Sequence, residues 1–277
     1  MSSDQALGRA AAAKEMPATK VPTGSIIESA RAEYEETGFC VLPNIIPDDL
    51  LSLLRDECQG FIDRKHAEMD AAGTDSVGIS HRGRRYFVER TLQQSTKMAE
   101  FLFSPLMAGI CRDILGPDAW LFYDQYVVKG ADPNSRFAWH QDSGYVAANG
   151  GDPKHKPYLT CWCTLDDVTE ENGTVYMLPY DKAGTRDLVE HQKDPEMNDW
   201  VGYHGDEPGT MVIAPAGSIA LFSSMTFHRS GPNLTNNMRR VYLAQYSAEP
   251  IKKVNSDELW GQSIPFLRDG VNVAGGA

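Results

Sequence analysis

None of the five cysteines, at positions 40, 58, 111, 161 and 163, stands in a C-x-x-C zinc spacing, and an odd number cannot all pair within one chain. A reducing compartment is the simplest reading. Positive charge is also scarce: 26 Lys and Arg against 38 Asp and Glu leave a net charge of −12. Such a field repels phosphate backbones and anionic lipid, so neither nucleic acid nor a membrane is an expected partner. An anionic substrate would need a local basic pocket. The first 24 residues lack the apolar core of a signal peptide, and Asp4 and Glu15 speak against an Arg-rich transit peptide. They are read as a disordered tail on a cytoplasmic protein. Internal repeats and linkers are missing too, so residues 25–277 are read as one domain.

The residues that are present divide the chain in two. Up to about residue 115 the spacing is helical. Ile26 to Thr37 forms one helix ending at Gly38, and Phe39 to Leu42 a short strand. Pro47 opens a second helix in which Leu50, Leu51, Leu53, Leu54, Cys58, Phe61 and Ile62 recur every three or four residues as far as about Met69. Residues 71–84 read as a loop, and a helical pair fills roughly 93–115. Beyond Ala119 the pattern changes to short β-branched and aromatic runs: 120–128, 137–141, 158–165, 174–178, 210–213, 218–222 and 239–247. This predicts a mainly β protein, an antiparallel sandwich or barrel with helices covering one face. The long segment from Asp181 to Pro208, with little periodicity, is expected to be an insertion acting as a functional lid.

The sharpest chemical feature is Trp139-His140-Gln141-Asp142. Side chains two apart on a strand share a face, so His140 and Asp142 would present an imidazole and a carboxylate together. A third ligand is available from any of the other histidines. His228 is favoured because it sits in the run Phe222 to His228, at the end of a predicted strand. Two His and one carboxylate leave open positions on an iron ion, as oxygen chemistry requires. Arg239, eleven residues after His228, begins an apolar strand and could clamp a carboxylate with two parallel hydrogen bonds; Arg240, pointing the other way, is its rival.

Four blocks of this sequence resemble the phytanoyl-CoA dioxygenase family of iron(II)- and 2-oxoglutarate-dependent oxygenases. They are YEETGFCVLP at 34–43, WHQD at 139–142, WCTLDDVTEENGTVYMLP at 162–179 and HRSGPNLTNNMR at 228–239. The resemblance implies a double-stranded β-helix, the cupin-like jelly roll. It implies iron held by His140, Asp142 and His228, with Arg239 on the distal carboxylate of 2-oxoglutarate. Ser230 is a second candidate for that carboxylate, Tyr123 and Gln125 share the strand face expected toward the cosubstrate, and Trp162 would wall the same pocket. The chain departs from the family after its Asn-Gly hairpin, reading Pro179-Tyr180-Asp181-Lys182 where Pro-Gly-Ser-His is usual.

Substrate contacts are expected from Tyr145, three residues after Asp142, and from Arg84, Arg85 and Tyr86 in the basic cluster at 81–87. His155, His191 and His204 are expected at the surface. The implied activity is hydroxylation of an unactivated C–H bond of a small molecule, consuming O2 and 2-oxoglutarate and releasing succinate and CO2. Desaturation, epoxidation or rearrangement of a natural product by the same ligand set is the nearest alternative. A cupin-like binding protein without turnover stands further off because all three ligands and the arginine are retained, and a hydrolytic zinc site because it gives Arg239 no role.

Overall fold

The computed structural model describes residues 24–195 and 199–274. The tail expected at 1–24 lies outside them except for Gly24, the first residue of helix α1 (Gly24–Thr37). Gly38, with φ of 92°, ends this helix as its position suggests, and strand β1 (Phe39–Leu42) follows. Helix α2 (Asp48–Ala72) buries Leu50, Leu51, Leu54, Cys58, Phe61 and Ile62, one stripe at the spacing read from the sequence. The loop expected over 71–84 is only partly a loop. It holds the end of α2 and two short strands, β2 (Ser76–Val77) and β3 (Ser80–His81), which lead into β4 (Arg85–Glu89). Sequence reading missed β4 because its order comes from pairing along its whole length with a partner strand, not from its own charged composition. The helical pair is present as α3 (Met98–Leu102) and α4 (Pro105–Leu115), the latter capped by Ser104, whose Oγ accepts from the Met107 N–H.

The remainder is mostly strand: β5 (Ala119–Lys129), β6 (Phe137–His140), helix α5 (Asp142–Ala148), β7 (Leu159–Thr164), β8 (Val175–Leu178) and helix α6 (Tyr180–Ala183). Then come the pair β9 (Gln192–Lys193) and β10 (Trp200–Val201), followed by β11 (Thr210–Met211), β12 (Ile219–Ser223), β13 (Phe227–Ser230), β14 (Arg239–Ser247) and β15 (Ile264–Arg268). Two antiparallel sheets result. The larger runs β1-β12-β7-β14-β5-β4-β3-β2, with β15 also on β5; the smaller runs β11-β8-β13-β6. This is the mainly β jelly roll with flanking helices that the resemblance implied. Among the described residues, no helix is long and apolar enough to cross a membrane.

Alternation sorts the larger sheet's side chains into two cores. Cys40, Cys161, Cys163, Tyr126, Tyr242 and Tyr246 face the helices and pack with Leu54, Phe61 and Phe101. Trp162, Ala220, Phe222, Val241 and Leu243 face the smaller sheet and pack with Val175 and Met177. Strand β7 is buried at all six positions, so its sequence LTCWCT reads as a continuous run, not an alternating one. His228 does not end the strand that starts near Ser218. The chain turns after Ser223 and crosses between sheets, so His228 occupies β13 in the smaller one.

On the helix side, the carboxylate of Asp124 is fully buried. Its Oδ2 accepts from the Thr91 N–H at 2.6 Å, the Leu92 N–H at 3.1 Å and the Tyr242 hydroxyl at 3.1 Å, while Oδ1 accepts from Gln262 Nε2 at 2.6 Å. Three segments distant in sequence are thereby tied to one carboxylate. Asp124→Asn substitutes a donor for an acceptor among donors and should cost about 2–4 kcal/mol of stability. The check is a urea denaturation midpoint well below wild type with the slope unchanged.

Candidate metal centre

His140 and His228 are direct cross-strand partners in the antiparallel pairing of β6 with β13. Residues so placed have neighbouring Cβ atoms, and here the ring centroids are 4.1 Å apart. Asp142 is not on the strand, as expected, but is the first residue of α5. The alternation argument still reaches it because Gln141 keeps an extended backbone, φ −103° and ψ 138°, before the helix begins. The Asp142 Oδ1 atom lies 3.4 Å from His228 Nε2 and 4.0 Å from His140 Nε2. Ligand atoms of all three residues fall within 4.8 Å of one another, as donors to a common ion would.

Surrounding groups fix the orientation of each. His140 Nδ1 donates to the Ala138 carbonyl at 2.7 Å and His228 Nδ1 to the Thr226 carbonyl at 3.1 Å. A carbonyl can only accept, so both Nδ1 atoms carry the proton and both Nε2 lone pairs face the centre. Burial and the nearby His228 hold the His140 imidazole well below its ordinary pKa, which keeps it neutral and able to bind a cation. Burial pushes the Asp142 carboxyl up, but His228, His140 and Thr160 outweigh it and hold it below the usual range. Asp142 Oδ2 accepts from Thr160 Oγ1 at 2.7 Å and from Gln245 Nε2 at 2.9 Å, leaving Oδ1 toward the histidines. Thr160 and Gln245 escaped sequence reading. Their signal was a polar residue with apolar neighbours on both sides within a buried strand.

Arg239 is 1% exposed and sits on the inner face of β14. One nitrogen, Nη2, donates to the Gly173 carbonyl at 3.1 Å; buried Nε and Nη1 have no partner among the described residues. Burial pushes its pKa down to about 10, the nearby Asp166 opposing this. That carboxylate is already engaged by Arg240, with Nε at 2.9 Å and Nη2 at 2.6 Å, on the other face of the strand. Geometry separates the two arginines: Arg240 is engaged in an ion pair with Asp166, whereas Arg239 is buried with donors at Nε and Nη1 still to be matched by an acceptor. Trp162 walls this place, its ring centroid 5.5 Å from the Arg239 guanidinium carbon.

Lys129 was not anticipated. It pairs in register with Arg239, is 1% exposed, and its Nζ donates to Ser230 Oγ at 2.8 Å and the Gly231 carbonyl at 2.6 Å. Burial and the adjacent Arg239 push its pKa well below the usual ammonium range. Ser230, accepting from Lys129, keeps its own proton to donate. Tyr123 and Gln125 lie opposite Gln245 and Leu243 across β5 and β14 and so share the inner face. Tyr145 is at the mouth, its ring edge-on to His140 at 5.1 Å.

The basic cluster is divided. Arg85 pairs in register with Lys129 and therefore lies on the inner face. Arg84 stays in the exposed turn before β4. Tyr86 points the opposite way from Arg85 into the helix-side core, fully buried, with its hydroxyl 2.6 Å from His66 Nε2 and accepting from the Gly83 N–H at 2.7 Å. It is a packing residue, and its place beside Arg85 in sequence is what misled. His155 and His191 are both partly buried, while His204 is exposed as expected. His191 Nε2 also accepts from the Gln141 N–H, between His140 and Asp142.

A family model described as phytanoyl-CoA dioxygenase (PhyH) matches residues 34–241. Among individual relatives, the peroxisomal phytanoyl-CoA dioxygenase of Rattus norvegicus is 22% identical over 245 residues, covering 81% of this chain and 69% of its own. The ectoine dioxygenase of Stutzerimonas stutzeri is 23% identical over 231 residues, 74% of this chain and 72% of its own. A solved structure of a non-heme alpha ketoglutarate dependent carbocyclase from nogalamycin biosynthesis superimposes with a TM-score of 0.65 at 16% identity, covering 87% of this chain and 96% of that one.

Arg239→Ala should weaken 2-oxoglutarate binding by about 2–4 kcal/mol, tens to hundreds of fold. Arg240→Ala should leave it near wild type, because its partner Asp166 lies outside the pocket. Calorimetric titration of the metal-loaded protein separates the two.

Proposed function

Because the chain belongs to the phytanoyl-CoA dioxygenase family of iron(II)- and 2-oxoglutarate-dependent oxygenases, we propose that it hydroxylates an unactivated C–H bond of a small molecule. His140, Asp142 and His228 would hold the iron. Arg239, with Lys129 and Ser230 beside it, would hold the distal carboxylate of 2-oxoglutarate. When bound, iron, 2-oxoglutarate and O2 together supply the oxidant that takes hydrogen from the substrate carbon and leaves a hydroxyl, with succinate and CO2 as co-products.

The observation that carries this reading is the pair of idle guanidinium nitrogens on Arg239, buried on the same sheet face from which Gln245 reaches Asp142. A non-catalytic cupin-like protein or a hydrolytic zinc site has no use for that arrangement. The protein's part is geometric. Gln245 and Thr160 fix which carboxylate oxygen of Asp142 binds, and the two carbonyls at Ala138 and Thr226 fix which imidazole nitrogens do. Trp162 and Leu243 keep the cosubstrate pocket dry. Substrate would meet Tyr145 and Arg85 at the mouth, where Phe87 and Phe137 stand edge to face at 5.8 Å. Asp199, half-buried and sensing the charges of Arg85 and Lys129, is raised by burial and lines the same approach. A reducing compartment such as the cytoplasm belongs to the same proposal, supported by five free and buried thiols.

Anaerobic addition of iron(II) and 2-oxoglutarate should produce a visible charge-transfer band only when both are present. Screening candidate small molecules for succinate release above the background without substrate then finds the substrate. Gain of one oxygen atom in the product marks hydroxylation, loss of two hydrogens desaturation, and unchanged mass rearrangement. Asp142→Ala should abolish both the band and turnover. A metal-loaded wild type without the band would refute the reading.

A further inference from the structure

The segment between α6 and β10, read from sequence as a lid, is fastened to the one residue between two metal ligands. Gln141 is fully buried, and every polar group it has is engaged by a neighbour. Its side-chain Nε2 donates to the carbonyls of Asp187 at 2.9 Å and Met225 at 2.7 Å, and its Oε1 accepts from the Val189 N–H at 2.9 Å. Its backbone N–H donates to His191 Nε2 at 2.9 Å. His191 Nδ1 in turn lies 2.9 Å from the Val189 carbonyl, to which it must donate, so Nε2 is the unprotonated acceptor. That lone pair is occupied by the peptide, and His191 is no fourth metal ligand.

The ring is seated in a slot made for it. A Cβ added at Gly144, on α5, or at Gly202, just after β10, would overlap the His191 imidazole. Phe227, adjacent to the ligand His228, stacks near it with an interplanar angle of 28°. The Gly202 N–H also donates to the Trp139 carbonyl at 2.9 Å, so the slot is closed onto the ligand strand itself.

We propose that His191 is a positioning residue for the metal centre. It fixes the plane of the Gln141 peptide and thereby the separation of His140 from Asp142. The inference rests on reading those residues as metal ligands. A rotation of this peptide carries the Asp142 carboxylate with it, and such sites tolerate only about 0.5 Å of misplacement. Without the imidazole acceptor, the buried N–H has every incentive to turn toward another partner.

The test uses the full chain loaded with Co(II), whose visible d–d bands report ligand geometry without turnover. His191→Phe fills the slot but removes the acceptor; His191→Gln keeps an acceptor at similar reach. His191→Phe should weaken Co(II) binding by about 10–100-fold and shift the bands, and His191→Gln should recover most of both. Gly144→Ala, which displaces the ring while leaving it in the chain, should reproduce the His191→Phe shift and covers the case in which His191→Phe does not fold. Wild-type bands and affinity in folded His191→Phe and Gly144→Ala would overturn the proposal, as would equal damage in Phe and Gln variants. A wild type that binds no Co(II) would instead refute the metal reading beneath it.

Discussion

The two-residue alternation of a single strand, β14, holds the site together. Arg239, Val241, Leu243 and Gln245 all project from its inner face, so one rigid element carries the idle guanidinium at one end and the amide that steadies Asp142 near the other. Between them Val241 and Leu243 seal the space against the smaller sheet. Because β14 is flanked by β7 and β5 along its length, its register is fixed from both sides. A slip by one residue would turn Arg240 inward, Arg239 outward, and withdraw Gln245 from the carboxylate at the same time. The carboxylate of the His140–Asp142–His228 cluster and the Arg239 guanidinium therefore cannot be misplaced independently.

The smaller sheet meets a different constraint. Among the described residues, strand β6, which carries His140, pairs with β13 and ends the smaller sheet. An unpaired edge would leave His140 on a strand free to twist or to pair elsewhere. The insertion after β8 closes that edge: the Ala138 N–H donates to Asp199 Oδ2 at 3.0 Å, the Gly202 N–H reaches the Trp139 carbonyl, and the Trp200 N–H reaches the Tyr145 hydroxyl at 3.4 Å. Its role as an edge cover explains why so long a stretch shows little periodicity of its own. Its order comes from backbone groups of the strand it covers.

What sequence could disclose follows from what each residue depends on. His140 and Asp142 were visible because two-apart spacing is local, and β14 was read over 239–247 because its apolar run is buried on both sides. Arg239 was separable from Arg240 by the resemblance, and the Asp166 pair supplies the physical reason. Thr160, Gln245 and Lys129 were hidden, since a polar residue in a buried strand declares only that it has a partner, not which one. Tyr86 went wrong by the converse error: grouping neighbours in sequence ignores that a strand sends them to opposite faces. β4 and β13 were short enough that only their partners define them.

The same alternation separates the chain's sulfur from its oxygen chemistry. Cys161 and Cys163 flank Trp162 on β7 yet face the helices, with Cys40, Cys58 and Cys111 in the same compartment, all with thiols pushed up in pKa by burial. Thiols held protonated and behind a sheet are poor targets for oxidants. The aromatic rings set against the His140–Asp142–His228 cluster are those of Tyr145, 5.1 Å from His140, and Phe222, 4.6 Å from His228. An oxidant released at the cluster would therefore meet aromatic rings before it met any thiol.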